Sequence, residues 1–198
     1  AFGGEDMQKH GWPRMPSYAE MRCLSYLALV HNAHGLLYYT YSQLRDNDQA
    51  WEGVKRIGRQ VRGLEPVLLL DAPFQPVPVQ VSSGFQVDAR GRPAVHTGIK
   101  WHQGECLLIA VNVIDRPVQA KVYGLAQNIH YVDDPFTGRR YIVRNGNIFL
   151  DLAPHEVVVL QSNAGLDESN TEMRETSFLS PLQHVLARAP AKESGPCQ

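Results

Sequence analysis

The chain has 198 residues, 43% of them hydrophobic, and a formal net charge of −1. That length can bury one good core or two small ones. The near-neutral charge and ordinary apolar content exclude wholesale disorder and electrostatic steering to nucleic acid, and no apolar run approaches the roughly 20 residues of a membrane span.

The N-terminal stretch "AFGGEDMQKHG" has neither the apolar region of a signal peptide nor an initiator Met, so the chain is expected to be processed, trimmed or a piece of something longer. The compartment stays open. Gly3, Gly4, Gly11, Pro13 and Pro16 break any periodicity over residues 1–16. Ser17 then opens an S-x-x-E capping box with Glu20. Met21, Leu24, Leu27, Ala28 and His31 follow at helical spacing, and Gly35 is placed as the left-handed residue after the helix end. A helix of about 15 residues is predicted.

"LLYYTY", residues 36–41, is apolar on both faces, as a parallel strand covered on both sides would be. Asp46 and Asp48 are expected to cap a second helix, with Trp51, Val54, Ile57, Val61 and Leu64 on one face and Pro66 interrupting it. From about Pro76 the period switches to two. Candidate strands are "VPVQV", "GFQVDA", "AVHTGIKW", "CLLIAVNVI", "VQAKVYG", "NIHYVD", "RYIVR", "NIFLDL" and "EVVVLQS". Asn145-Gly146 between two of them predicts a type I′ hairpin. Many short strands at this spacing predict an antiparallel sandwich. Leu107, Ile109, Val111 and Val113 are expected to face its core. After Ser162 the pattern dissolves, except for one weak helix beginning at Ser180 and Pro181.

The predicted fold class is α+β: a helix–strand–helix unit with (β/α) grammar, then an antiparallel β-sandwich. The expected organisation is residues 1–75, residues 76–162 as the autonomously folding sandwich, and a tail over 163–198.

Cys23, Cys106 and Cys197 have neither metal-motif nor disulfide-framework spacing, and small buried hydrophobes are the expected role. Among eight histidines, His31 and His34 at i, i+3 more simply offset a helix dipole, and His96 and His102 lack ligand partners at metal-site spacing. No metal and no cofactor are expected.

The stretches "RMPSYAEMRCLSYLALVHNAHGLLYYTY", "WEGVKRIGRQVRGLEPVLL", "LLIAVNVIDRPVQAKVYGL" and "LAPHEVVVLQ" together resemble the C-terminal end of TIM-barrel glycoside hydrolases of the β-galactosidase-like and cellulase-like group, which carry a trailing β-sandwich. The resemblance implies that residues 1–75 are the end of a (β/α)8 barrel: the last of strand seven, helix seven, strand eight and helix eight. Six βα units of such a barrel are absent here, and a barrel needs about 200 or more residues by itself.

The resemblance also implies a site. Barrel enzymes work at the C-terminal ends of their strands, where "GGEDMQKHGWPR" and "TYSQLRDND" would lie. Glycoside cleavage needs two carboxylates across the scissile bond. Glu5, just past strand seven, is the candidate nucleophile, with Asp6 as understudy. A solvated loop carboxylate is the competing reading. Trp12 and Tyr41 could stack on sugar rings, and His10, Arg14 and Gln43 could hydrogen-bond hydroxyls.

The expected function is therefore that of a C-terminal glycosidase fragment acting on β-linked glycans, inactive unless another chain supplies the rest of the barrel. The alternative is a carbohydrate-binding or structural sandwich that self-associates through its helices. Expected partners are a carbohydrate and either a second copy or a complementing barrel chain, with no nucleic acid and no membrane.

Overall fold

The computed structural model describes residues 14–38, 47–102 and 104–162. The fold is α+β, with three helices and two antiparallel sheets among the described residues. The helices are α1 (Tyr18–Val30), α2 (Asp48–Gly63) and α3 (Glu65–Leu68). The strands are β1 (Val79–Ser83), β2 (Val95–His102), β3 (Glu105–Asn112), β4 (Val118–Val122), β5 (Tyr131–Asp133), β6 (Arg140–Ile142), β7 (Ile148–Leu152) and β8 (Val157–Gln161).

The capping box at Ser17 forms as expected. The Glu20 amide donates to Ser17 Oγ at 3.2 Å, and the Ser17 amide donates to Glu20 Oε2 at 2.7 Å. The other end of α1 differs from expectation. The left-handed residue is Asn32 (φ 63), not Gly35. The Asn32 amide bonds Leu29 O and the Ala33 amide bonds Ala28 O, each at 2.9 Å, which is a Schellman closure. Asn tolerates this conformation, and its side chain exchanges two hydrogen bonds with the Phe74 backbone. The helix therefore stops earlier than Gly35 suggests. The expected stripe is also rotated: Leu24 is 62% exposed, while Cys23, Tyr26, Leu29 and Val30 are buried.

At α2 the cap is Asn47, whose Oδ1 accepts from the Ala50 amide at 3.0 Å. Asp48, expected to cap, is the first helical residue and favours the positive end of the dipole instead. Asp46 lies outside the described residues. Pro66 falls in the first turn of α3, where its missing N–H costs nothing.

Eight of the nine candidate strands form. The exception is "GFQVDA". There Asp88 Oδ1 accepts from the Arg90 and Arg92 amides at 2.8 and 2.9 Å, and this tight turn leaves only an isolated bridge between Val87 and Pro93. Of the expected strand 36–41, residues 36–38 are described and are not in a strand; the rest lie outside. Asn145 (φ 51) and Gly146 (φ 69) make the predicted hairpin turn.

The sheets have the orders β1-β4-β7 and β2-β3-β8-β5-β6. Their facing sides enclose one core that includes Cys106, Leu108, Ala110, Val122, Ile148, Leu150 and Leu160. The expected inward set of β3 thus points the other way. Leu107, Ile109 and Val111 lie on the outer face of the five-stranded sheet, beneath α1, in a second cluster with Cys23, Tyr26, Val30, Val157 and Val159. Strand β3 is buried on both sides, so alternation alone could not tell which face met the other sheet.

Gly98 explains how close the helix layer comes. A Cβ there would stand 3.1 Å from Val30 Cγ1 and 3.3 Å from Phe74 Cβ. Polar ties fix the orientation of α1. Arg22 donates from Nη1 to Val157 O and from Nε to Gln60 Oε1 at 2.9 Å. Cys23 Sγ donates to Asn112 O at 3.4 Å.

Candidate functional site

Helix α1 packs on the five-stranded sheet, and α2 packs beside α1. Where α1 ends, the chain turns at Asn32 and runs along α2. The segment after α3 returns beneath it and is tied to Asn32 through Phe74. These pieces leave an open groove of about 760 Å³. Its apolar lining comes from Leu29 of α1, Leu36 and Tyr38, the Val54, Ile57 and Val61 face of α2, and Leu68, Leu70 and Phe74.

Lys100 is the buried charge in the groove wall. Lys100, in the middle of β2, aims its Nζ at the carbonyls of Val67 (3.4 Å), Leu68 (3.1 Å) and Leu70 (3.2 Å). Those contacts use all three ammonium hydrogens and close the C-terminal end of α3. The amine also lies 5.1 Å from the Phe74 ring centroid, and burial lowers its pKa. Lys100 thus holds the groove wall in place. A charge inside the otherwise apolar "TGIKW" is the sequence signal that could have marked it.

Beside the groove, His31 at the end of α1 meets His96 of β2, Nε2 to Nδ1, at 3.0 Å. Burial, His31 and Arg92 push the His96 pKa down, against the pull of the Pro93 carbonyl and Asp88. Sequence spacing could not pair two histidines 65 positions apart. Among the described residues, no group of three or more His, Cys, Asp or Glu side chains could hold a metal ion, and no helix is long and apolar enough to cross a membrane. The Cys23 thiol is pushed up to about 11, chiefly by burial, and burial also raises Cys106, so neither is an activated nucleophile.

Of the sequence-derived site residues, Glu5, Asp6, His10, Trp12, Tyr41 and Gln43 lie outside the described residues. Arg14 is described. Its guanidinium grips Glu20 through two 2.7 Å bonds, and the Glu20 carboxyl is lowered to about 2 by Arg14 first and the Ser17 backbone next. This fork reinforces the capping box rather than leaving Arg14 free for sugar hydroxyls. Among the sandwich aromatics, Tyr141 is buried, whereas Trp101 and Tyr131 are partly exposed. Phe149, not singled out from sequence, is 62% exposed on the outer face of the three-stranded sheet, with Lys121 Nζ 5.5 Å from its ring centroid.

No protein-family profile matches the chain, and no curated protein matches it. Solved structures similar to it include a noncanonic maltogenic α-amylase, AmyB from Thermotoga neapolitana, at 11% identity and a TM-score of 0.49, covering 81% of this chain and 44% of that one. AmyP, solved with maltotriose, is 17% identical with a TM-score of 0.41, over 66% of this chain and 23% of its own. A catalytic mutant of Gan42B, a GH42 β-galactosidase from G. stearothermophilus, is 13% identical with a TM-score of 0.29, over 56% of this chain and 12% of its own. The chain spans less than half the length of each of these proteins, and likenesses this distant carry no conclusion about activity.

Proposed function

We propose that this chain is the C-terminal part of a glycoside hydrolase acting on β-linked glycans, inactive by itself and completed by polypeptide that supplies the rest of a (β/α) barrel. In this reading residues 1–75 are the end of the barrel and residues 76–162 its trailing sandwich. Glu5 is the nucleophile with Asp6 in reserve. Trp12 and Tyr41 stack on sugar rings, and His10 and Gln43 bind hydroxyls. The opposing carboxylate comes from strands outside this chain, as a two-carboxylate mechanism requires. The observation that supports the reading best is the open apolar groove along α1 and α2, which the described residues leave unfilled. An exposed Phe149 beside Lys121 and Tyr123 favours a second reading, a carbohydrate-binding sandwich.

The test is nitrophenol release from a panel of aryl β-glycosides. Residues 1–198 should give no turnover. The protein expressed from its whole native reading frame should be active, and Glu5→Gln should lower that activity by about 100-fold or more. Turnover by residues 1–198 alone, or full activity in Glu5→Gln, contradicts the proposal.

A further inference from the structure

Along α2 the groove is lined by Val54, Ile57, Gly58 and Val61, and Leu69, which also lines it, is 73% exposed. Open apolar surface of this kind marks a place where something else packs. On the same helix Arg56, Arg59 and Arg62 stand exposed at i, i+3 spacing, and Arg62 belongs to the groove lining. The cover this surface suits is apolar on one face and acidic beside it.

Residues 1–13, 39–46 and 163–198 of this chain lie outside the described residues, and their sequences suit the groove unequally. Residues 1–13 join at the start of α1, about 20 Å along the helix from the groove at its other end, and Phe2, Met7 and Trp12 have no helical spacing. Residues 39–46 offer one aliphatic side chain, Leu44, and are tied at both ends between Tyr38 and Asn47. In the tail, Leu182, Val185, Leu186 and Ala189 fall at i, i+3, i+4 and i+7 between Pro181 and Pro190, the pattern of one apolar helix face opened by Ser180. Asp167, Glu168, Glu172 and Glu175 precede it, against a single Arg174. The tail also leaves the sandwich on the groove side. The Ser162 amide donates to Cys106 O, and Cys106 pairs with Trp101, the residue after Lys100. Two strand spacings, about 10 Å, thus separate Ser162 from the strand that carries the groove wall. Residues 163–179 span that several times over at about 3.3 Å per residue.

We propose that the groove is the seat of the chain's own C-terminal segment: Leu182, Val185 and Leu186 enter it as one helix face, and the acidic residues between 167 and 175 lie along Arg59 and Arg62 of α2. The apolar face supplies the burial, and the charges fix which way the segment runs. The inference goes beyond the glycosidase reading and does not rest on it. In that reading the rest of the barrel displaces the segment, which covers the groove while the barrel is absent.

The test is maleimide labelling of residues 1–198 carrying Leu69→Cys with Cys197→Ser; Cys23 and Cys106 are buried. Adding Leu182→Asp and Leu186→Asp should speed the labelling by about 10-fold, as for a thiol otherwise released only when the seat opens. Arg59→Glu with Arg62→Glu, at two exposed positions, should speed it as well, and Glu172→Arg with Glu175→Arg in that background should slow it again. Equal rates with and without the Asp changes overturn the proposal. So does a failure of the reversed charges to restore protection, or protection that grows with concentration and tracks a dimer in sedimentation, which would put a second copy in the groove. Aryl glycosidase activity of the protein from its whole native reading frame is measured separately. Protection of residues 1–198 with no turnover by the longer protein sinks the glycosidase reading and leaves the seat intact; turnover with an unprotected Leu69→Cys does the reverse.

Discussion

Replacing Ile109 with Ala separates two views of how this molecule is held together. Ile109 is fully buried on the face of β3 that meets α1, between Gly98 of β2 and Val159 of β8. Its neighbour Leu108 is equally buried but faces the other sheet. If the sandwich were the only core, Leu108→Ala would be costly and Ile109→Ala mild. The structure places Ile109 under the point of closest approach, where Gly98 admits Val30 and Phe74. A rigid floor on the sheet and a helix tied down by Arg22 and Cys23 allow little collapse into the space left behind. Both substitutions should therefore cost about 2–5 kcal/mol. For the roughly 140 described residues that is a fall in Tm of roughly 5–15 °C.

The assay is thermal melting followed twice, by far-UV circular dichroism for the helices and by Trp101 fluorescence for the sandwich, in a background carrying Trp12→Phe and Trp51→Phe. One transition, shifted alike in both signals by Ile109→Ala, is the expected result. A shift below about 1 kcal/mol refutes the reasoning. So does early loss of the helical signal while Trp101 holds its wild-type transition, because the sandwich over 76–162 would then stand without the helix layer. The proposed division at residue 76 has a physical cost: cutting there leaves Leu107, Ile109, Val111, Val157 and Val159 together on one bare sheet face.

The His31–His96 contact should make stability depend on pH. His96 has its pKa held below the ordinary 6.5, so the unfolded chain takes up a proton more readily than the folded one. Stability should be full above about pH 6.5 and fall as the pH drops through the folded value, and His96→Gln should flatten that slope in Tm measured from pH 8 to 5; an unchanged slope counts against the contact. At the hairpin, a Cβ on Gly146 would stand 2.6 Å from Leu125 O at a φ of 69°, so Gly146→Val should cost at least about 1–3 kcal/mol in urea unfolding. Gly35→Ala should change stability by no more than about 0.5 kcal/mol, because nothing lies within 4 Å and Asn32 carries the left-handed turn.

How far the sequence could be read depended on whether the signal was local. The capping box, the Asn145-Gly146 turn and eight strands are each decided within a few residues, and each appears in the structure. The errors arose where two local solutions competed. Asn32 and Gly35 could both end α1, and Asn32 wins because its side chain also secures Phe74. Asn47 and Asp48 could both cap α2, and only Asn47 has the extended backbone of a cap. The groove was not legible at all. It depends on Lys100 reaching carbonyls 30 or more positions away, whose one local sign is a charge in an apolar strand, and on a glycine in β2 that admits the helix layer.

Two stretches, residues 36–41 and 107–111, share one sequence property: large apolar residues in succession with no polar face. In the second the structure supplies the explanation. Leu108 and Ala110 meet the three-stranded sheet, and Leu107, Ile109 and Val111 meet α1, so each side chain has a layer over it. In the first, Leu36 and Tyr38 have α2 and the groove, and Leu37 has water. Fully burying a leucine is worth about 1.5–3 kcal/mol, and Leu37 realises almost none of it here. A single exposed leucine needs no explanation. One that alternates with two groove-lining residues and follows the turn at Asn32 is different. Among the described residues this stretch receives on one side the covering that β3 receives on both.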